Sequence, residues 1–286
     1  MENSILQTLQ YFRFFDYAPT VNELYRFLGR KTSKKALQNS LKRINNIVIE
    51  KGSIYTGGEY RIQLKSGSLN VKRYEKRKQI AGLKIKKIEP FLRLILRFPQ
   101  VKLIGLSGSV AMMDAKEGDD IDLFVITDKN NLWTGRFVCL LVAGLLGRRR
   151  RFNQSHTNDK ICLNLFFDGR SLSVPLIKHT EYVAHEILQM KPLVDKDNIY
   201  RRFLKANNWV FTYFPNAVEV ADSSFSRAQT GSSFSPPIWL AQLVELLLKT
   251  IQLYFINKHK TKEIITDTQL WFFPDDFEKR LKDLPK

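Results

Sequence analysis

The sequence predicts a mixed α+β protein, and three observations carry this prediction. Segments in which apolar residues recur at helical spacing stand before and after a central stretch of strand-like apolar runs. The two clearest runs, Val101–Leu106 and Ile121–Ile126, are separated by a Gly-Ser turn and a short apolar segment, which predicts strand, turn, short helix and strand. The length of 286 residues is enough for two or three domains, and a hydrophobic content of 44% is enough for a real core.

Residues 1–66 are predicted to form three helices followed by a small β-sheet. Thr20 and Glu23 form a capping box that starts the second helix. The third helix, Ser33–Asn45, carries lysine, arginine and amide side chains on one face, and two short apolar segments separated by glycines follow it. This order resembles a winged-helix domain, in which the third helix would be the recognition helix if the domain binds DNA. Winged helices also serve as protein-interaction modules, so the partner of this domain stays open.

Residues 67–99 are predicted to be a basic helical connector, with Gly82 as its expected break. Eight lysine and arginine residues lie between Lys72 and Lys87. Such a run is compatible with an ordinary solvated helix face and with a surface that guides phosphates toward the central strands. The candidate phosphate contacts in this segment are Lys84, Lys86 and Lys87.

Two carboxylates stand at the mouth of the second central strand. Asp120 and Asp122 are separated by one residue, and strand side chains alternate in direction, so both point the same way. Like charges this close repel each other unless a cation lies between them. Carboxylate oxygens suit Mg²⁺ or Mn²⁺, so this pair predicts a divalent-metal site.

The Gly-Ser turn supplies a complementary feature. Gly108 allows the backbone to approach a ligand, and Ser109 adds a hydroxyl group. The backbone N–H groups that follow such a turn favour phosphate. A phosphate cradle facing a metal clamp is the apparatus that phosphoryl or nucleotidyl transfer requires.

Residues 100–178 resemble the core of the nucleotidyltransferase superfamily typified by DNA polymerase beta. The signature of that superfamily is an apolar strand, Gly-Ser, about a dozen residues and Asp-x-Asp on a strand; here ten residues separate Ser109 from Asp120. The resemblance implies Asp120 and Asp122 as catalytic metal ligands, and Gly108 and Ser109 as contacts to the phosphates of a nucleoside triphosphate (NTP). It also implies Mg²⁺ or Mn²⁺ as cofactor and transfer of a nucleoside monophosphate to an acceptor hydroxyl.

The third carboxylate of that superfamily has no simple counterpart in this chain. The matching strand is predicted at Lys160–Phe167, and its central polar residue is Asn164. An amide oxygen can ligate a metal as a third ligand but cannot accept a proton. Asp168 lies about 13 Å further along an extended strand, too far to replace it. A second interpretation is therefore a weak or inactive nucleotidyltransferase fold that regulates by binding nucleotide or nucleic acid.

Four arginines follow an apolar helix predicted at Leu132–Leu146. They are equally compatible with a favourable helix C-terminus and with binding of a triphosphate or a polynucleotide backbone. Residues 179–216 are predicted to form two helices, and 221–237 a mobile Ser-rich loop within a mostly helical region, 179–286. Trp239–Ile256 is predicted as an amphipathic helix, and Glu263–Phe273 as a short strand. The candidate phosphate contacts here are Arg148, Arg149, Arg150 and Arg151.

Charge and cysteine content restrict the partners and the compartment. Lys and Arg number 46 against 28 Asp and Glu, a net charge of +18, which favours RNA or DNA first and an acidic membrane surface second. Cys139 and Cys162 stand in apolar segments and are expected to be buried, reduced thiols of a cytoplasmic protein. No signal peptide or membrane-inserted segment is predicted, and the sequence does not indicate an oligomeric state. A winged-helix regulator whose central part only mediates assembly is the third interpretation.

Overall fold

The computed structural model describes residues 1–51, 60–65, 71–150, 157–218, 237–259, 263–272 and 281. The fold is mixed α/β, built around one mixed sheet, as the sequence predicts at this level. The Ser-rich segment 221–236, Arg151 and the glycine-containing turn after residue 51 lie outside the described residues. The strands are β1 Ile47–Lys51, β2 Tyr60–Leu64, β3 Val101–Leu106, β4 Ile121–Thr127, β5 Ile161–Asp168, β6 Lys191–Asp195, β7 Ile264–Ile265 and β8 Gln269–Trp271.

The helices follow the apolar periodicity of the sequence, with shorter bounds than predicted in several places. The third helix ends at Leu41, and the basic connector forms two helices that meet at Ile88. The break comes from Pro90 in the first turn of the second of these helices rather than from Gly82, which lies inside a helix. The helices are α1 Glu2–Phe14, α2 Val21–Arg26, α3 Lys34–Leu41, α4 Val71–Lys87, α5 Glu89–Ile95, α6 Gly108–Ala111, α7 Leu132–Leu145, α8 Glu181–Gln189, α9 Ile199–Ala206, α10 Val210–Tyr213 and α11 Ile238–His259.

The N-terminal part packs around its own small core. The predicted capping box is present, because Thr20 accepts from the Glu23 backbone N–H and Glu23 accepts from that of Thr20. Strands β1 and β2 pair antiparallel, with Ile47 opposite Leu64. The buried side chains of this core are Ile5, Leu9, Leu24, Tyr25, Leu28, Leu37, Leu41, Ile44, Ile47 and Ile62.

The central sheet has six strands in the order β6-β3-β4-β5-β8-β7. Only β4 and β5 are parallel; the other neighbours run antiparallel. Strands β3 and β4 bury side chains on both faces, which explains why their sequences are nearly continuous apolar runs. Helices α4, α5 and α7 contribute to the core on one face, whereas α1, α8 and α9 contribute to the core on the other. The Asp-x-Asp strand is therefore held from both sides.

Three strands of the sheet come from 179–286, which we expected to be mostly helical with one short strand at Glu263–Phe273. Strand β6 occurs where two helices were predicted, and β7 with β8 forms a hairpin on the opposite side of the sheet. Strand β6 is short and contains Pro192, which removes a backbone donor and hides the strand pattern. The proline is tolerated because β6 is an edge strand that pairs only with β3.

Helix α11 packs on α7 with one side and turns the other to solvent. Glu245 of α11 accepts from the backbone N–H groups of Trp133 and Thr134, each at 2.8 Å, at the first turn of α7. Among the described residues, the stretch Trp239–Lys258 is the one helix long and apolar enough to span a membrane. Only 6% of this stretch is buried, so the helix exposes more apolar surface than the amphipathic helix predicted at Trp239–Ile256.

His185, on α8, is a buried core histidine. Its ring stacks on Phe27 at a centroid distance of 3.8 Å and on Tyr11 at 4.8 Å. Nδ1 lies 3.1 Å from Gln189 Oε1, and Nε2 has no hydrogen-bond partner among the described residues. Burial lowers the pKa of His185 to about 3. The imidazole is therefore neutral at physiological pH.

We expect His185 to make the protein less stable as the pH falls from 7 to 5. The unfolded histidine takes up a proton near pH 6.5 while the buried one does not, so stability is lost below the unfolded pKa. The loss at pH 5 is about 2 kcal/mol. The other titrating groups are the same in both proteins, so urea unfolding should show the parent losing about 2 kcal/mol more than His185→Gln between pH 7 and pH 5. Equal pH dependence in the two proteins would contradict the assignment.

Candidate functional site

The two aspartates of the Asp-x-Asp pair lie at the mouth of β4, beside the Gly-Ser turn. Asp120 immediately precedes the strand and Asp122 is its second residue. The Ser107 backbone N–H donates to the Asp122 carbonyl at 3.0 Å, which fixes the end of β3 against the start of β4. Two segments that are apart in sequence are thereby placed in one site.

Gly108 occupies a position that a side chain could not share. Its φ is +64°, in the left-handed region that glycine adopts without strain. A Cβ atom added there would lie 2.6 Å from Oδ2 of Asp122, well inside contact distance. The glycine therefore lets the backbone of the turn lie directly against the carboxylate.

We expect Gly108→Ala to lower the free energy of unfolding by about 2–3 kcal/mol. The alanine would strain the backbone at positive φ and push Asp122 out of position. Gly118→Ala is the matched control, because a Cβ at Gly118 meets no atom within 4 Å. Chemical denaturation should separate the two variants; equal stability would show that the turn adapts freely.

Asn164 meets Asp122 through an irregularity in the pairing of β4 and β5. Leu123 pairs with Leu163 and Phe124 pairs with Leu165, so Asn164 is the extra residue of a bulge. Its Nδ2 donates to Asp122 Oδ1 at 2.6 Å. The Cys162 thiol, two residues earlier, donates to Asn164 Oδ1 at 2.8 Å. The predicted third position therefore does contact the aspartate pair, through an amide.

Arginines from the segment after α7 reach the same site. The Arg150 guanidinium pairs with Asp120 and lies 3.2 Å from the Cys162 sulfur. Its backbone N–H donates to the Ile161 carbonyl at 3.1 Å, so β5 positions the segment. Arg149 is exposed and lines the same cavity. Arg148 is half-buried and donates to the Asp159 carbonyl at 3.3 Å, away from the aspartate pair.

The close carboxylates of Asp120 and Asp122 repel each other in this site. Removal from water and, to a lesser extent, the nearby charge of Asp120 raise the pKa of Asp122 to about 7, whereas Arg150 opposes the shift. One guanidinium offsets part of the repulsion. A pair of this kind gains from an additional cation.

Glu186 is a site residue that the sequence analysis missed. It lies on α8, far along the chain from the aspartates, yet it lines the same cavity. Its carboxyl group lies against the backbone N–H of Gly108 and accepts from the Gln189 side chain. Burial and the proximity of Asp122 raise the pKa of Glu186 to about 8. No local motif marks this residue, because the packing of α8 on the sheet alone places it there.

Ser109 is turned toward the loop that precedes the aspartates. Its Oγ donates to Asp119 Oδ2 at 2.8 Å, and this carboxylate oxygen of Asp119 also accepts from the Lys116 backbone N–H at 2.9 Å. Ser109 also lines the cavity. Its role in this geometry is to hold the loop, with its hydroxyl at the cavity wall.

The three candidate lysines of the connector behave differently from one another. Lys84 is 1% exposed, and its ammonium donates to the carbonyls of Glu117 and Asp119 and to the Asn158 and Asp159 side chains, at 2.7–3.3 Å. Because four protein acceptors surround this ammonium group, it is not available to phosphate, and the prediction of Lys84 as a phosphate contact is wrong. Lys87 pairs with Asp159, whereas Lys86 is exposed.

The described residues enclose a cavity of about 960 Å³ over the site. Ligand atoms of Asp120, Asp122 and Cys162 lie within 4.8 Å of one another, which is close enough for one metal ion. Burial raises the pKa of the Cys162 thiol, so it is protonated in the metal-free site, and sulfur is a soft donor that Mg²⁺ does not favour. The useful donors are therefore the hard oxygens of the carboxylates, with the Asn164 amide beside them.

Comparisons of the chain with models of protein families, with curated proteins and with solved structures found no match. The geometry and chemistry of this site are therefore the basis on which a function is proposed.

Proposed function

We propose that this protein is a metal-dependent nucleotidyltransferase that moves a nucleoside monophosphate from an NTP to an acceptor hydroxyl. The observation that carries the proposal is the contact of the Gly108 turn with Asp122 inside a large cavity. The Gly108–Ser109 turn, two adjacent carboxylates and two arginines then line one space. This combination suits a polyphosphate held by cation and backbone together.

Asp120 and Asp122 would hold Mg²⁺ or Mn²⁺, with the Asn164 amide oxygen as a third ligand after rotation of the amide. The fit rests on the two hard, close carboxylates and on their repulsion in the absence of a cation. The bound ion would neutralise the triphosphate and polarise its α-phosphate. Arg150, which now pairs with Asp120, and Arg149, which lines the same cavity, would bind phosphate oxygens.

Glu186 is the residue that we assign as general base. Of the cavity's other acidic groups, Asp119 is engaged by Ser109 and Lys116, and Asp114 by Arg77. Glu186 would take the proton of the acceptor hydroxyl as its oxygen bonds to the α-phosphorus. The bond from the α-phosphorus to the bridging oxygen breaks, and pyrophosphate leaves with that electron pair. A base with a pKa near the working pH is well matched to this step.

The basic surface makes RNA or DNA our first candidate acceptor, ahead of a protein side chain or a small molecule. The net charge is +18, and Lys86 and Arg149 are exposed on segments that flank the site. The three helices and small sheet of the N-terminal part resemble a winged helix, which could present nucleic acid or a protein partner.

The alternative function is a binding protein with weak or no transfer. Its specific support is Asn164, because an amide stands beside Asp122 where the superfamily resemblance implies a carboxylate. Such a protein would bind NTP with Mg²⁺ and act as a nucleotide- or nucleic-acid-dependent regulator. Pyrophosphate release separates this function from the enzyme.

The decisive experiment incubates the purified chain with each α-labelled NTP, Mg²⁺ or Mn²⁺, and total cellular RNA, DNA or protein. We expect label to enter one acceptor class with equal release of pyrophosphate. Metal-dependent NTP binding without pyrophosphate release would favour the regulator. Absence of NTP binding would overturn both functions and leave a role in assembly.

We expect Asn164→Asp to destabilise the metal-free protein while increasing its metal affinity. The new carboxylate would lie about where Nδ2 now donates to Asp122 at 2.6 Å, so the repulsion would cost about 1–3 kcal/mol until a cation binds. Transfer should rise. Thermal melting with and without Mg²⁺, beside pyrophosphate release, measures both effects. Asn208→Asp, on an exposed residue, is the control; a Mg²⁺-independent melting curve for Asn164→Asp would contradict the proposed ligand position.

A further inference from the structure

The outward half of α11 is an apolar surface that the described residues leave exposed. At roughly 100° per residue, the exposed apolar side chains occupy one half of the helix circumference. Within Trp239–Ile256, Thr250 is the one polar residue on that half. Apolar surfaces of this kind mark interaction sites on proteins. The exposed members are Trp239, Leu240, Leu243, Val244, Leu246, Leu247, Ile251, Tyr254 and Phe255.

The opposite side of α11 is tied to the protein by polar contacts. Glu245 caps the first turn of α7. Gln252 accepts from Arg136 at 2.5 Å and donates to the Trp133 carbonyl at 2.9 Å, and Lys249 pairs with Asp267 at 2.9 Å. A membrane-spanning arrangement would carry these groups into hydrocarbon, at a high cost. The helix is therefore placed to lie along a surface with only its outer half covered.

We propose that this outer half of α11 docks on the surface of an anionic lipid bilayer. Trp239 lies near one end of the exposed face and Tyr254 near the other, and both side chains favour the membrane interface. The chain carries a net charge of +18, and Glu245, the one acidic residue of α11, is engaged by α7. Apolar insertion and attraction to acidic headgroups then act together.

A second copy of this chain is the competing occupant. Self-association would bring together two molecules that each carry +18, and this repulsion acts against a dimer at low ionic strength. An anionic bilayer instead gains from the same charge. Helix α7, on which α11 packs, also exposes an apolar stripe at spacing of four residues, Phe137, Leu141 and Leu145, and it has no acidic residue.

The test measures binding of the full chain to vesicles of phosphatidylcholine with about 30% phosphatidylserine, in about 100 mM salt, by co-sedimentation. The test variant is Leu243→Ser with Leu247→Ser, two exposed residues one turn apart. Removing two inserted leucines should weaken binding roughly 50-fold. Gln242→Ser with Asn257→Ser, also exposed on α11, is the matched control and should bind like the parent.

Binding that the leucine variant loses, that the control keeps and that vesicles of pure phosphatidylcholine do not reproduce supports the proposal. The proposal is overturned if the parent binds both vesicle types equally, if the leucine variant binds as well as the control variant, or if the parent does not bind at all. Size-exclusion chromatography with light scattering measures the oligomeric state of the parent and of the leucine variant. A parent dimer that the leucine variant converts to monomer assigns the surface to a second copy instead. Circular dichroism melting confirms that both variants are folded.

Discussion

Replacing Asp120 and Asp122 together with asparagine should abolish Mg²⁺-dependent NTP binding and reduce transfer at least about 10³-fold. Asparagine keeps the shape of each side chain and removes both negative charges that would hold the cation. The fold should persist, because the pKa of Asp122 is already raised to about 7 by burial and by its neighbour. The metal-free variant should therefore be at least as stable as the parent at pH 8. Calorimetric titration with a non-hydrolysable NTP and Mg²⁺ gives the binding result.

Asp128→Asn is the matched control for this pair. Asp128 follows the far end of β4, where its side chain lies 3.5 Å from Lys102, and it does not line the cavity. Its replacement should leave NTP binding unchanged. If the Asp120 and Asp122 double variant binds NTP with Mg²⁺ as the parent does, the metal site lies elsewhere in the chain.

Glu186→Gln should lower the rate of transfer by about 10²–10⁴-fold while NTP still binds. The amide keeps the size of the side chain but cannot accept the proton of the acceptor hydroxyl. NTP affinity should stay equal or rise, because the ionised fraction of the carboxyl group is removed from beside the Gly108 N–H group. Steady-state measurement of kcat and of the NTP dissociation constant separates these two effects.

Glu181→Gln provides a control on the same helix, since Glu181 is exposed in the first turn of α8. Normal turnover in Glu186→Gln, together with tighter NTP binding, would rule out the base. The carboxyl group would then merely occupy the Gly108 N–H group in the absence of phosphate.

The parts that the sequence predicted well are those in which local chemistry decides the structure. The apolar strand, the Gly-Ser turn and Asp120 with Asp122 lie within one short stretch, and the structure joins them as that stretch indicates. Asn164 was predicted as the third site position because it is the central polar residue of the next strand, and its side chain does contact Asp122. The bulge that brings it there was not predictable, because it depends on how two strands pair.

The parts that the sequence analysis missed depend on contacts between distant segments. Glu186 enters the site because α8 packs against the sheet, and nothing in its local sequence indicates this. Periodicity predicted α11 but could not show that its apolar half points away from the protein. The lysine run of the connector looked uniformly basic, yet Lys84 points into the protein and Lys86 points out.

Lys84 links the two turns at the mouth of the site to each other and to α4. One ammonium group on α4 joins the turn before β4 to the turn before β5, through the carbonyl of Asp119 and the side chain of Asp159. Neither turn can open alone without leaving a buried cation short of acceptors, which is costly. Local unfolding of the two strand mouths and detachment of α4 therefore form one cooperative event. The spacing of the carboxylates that face the cavity is thus maintained by a segment that contributes none of them.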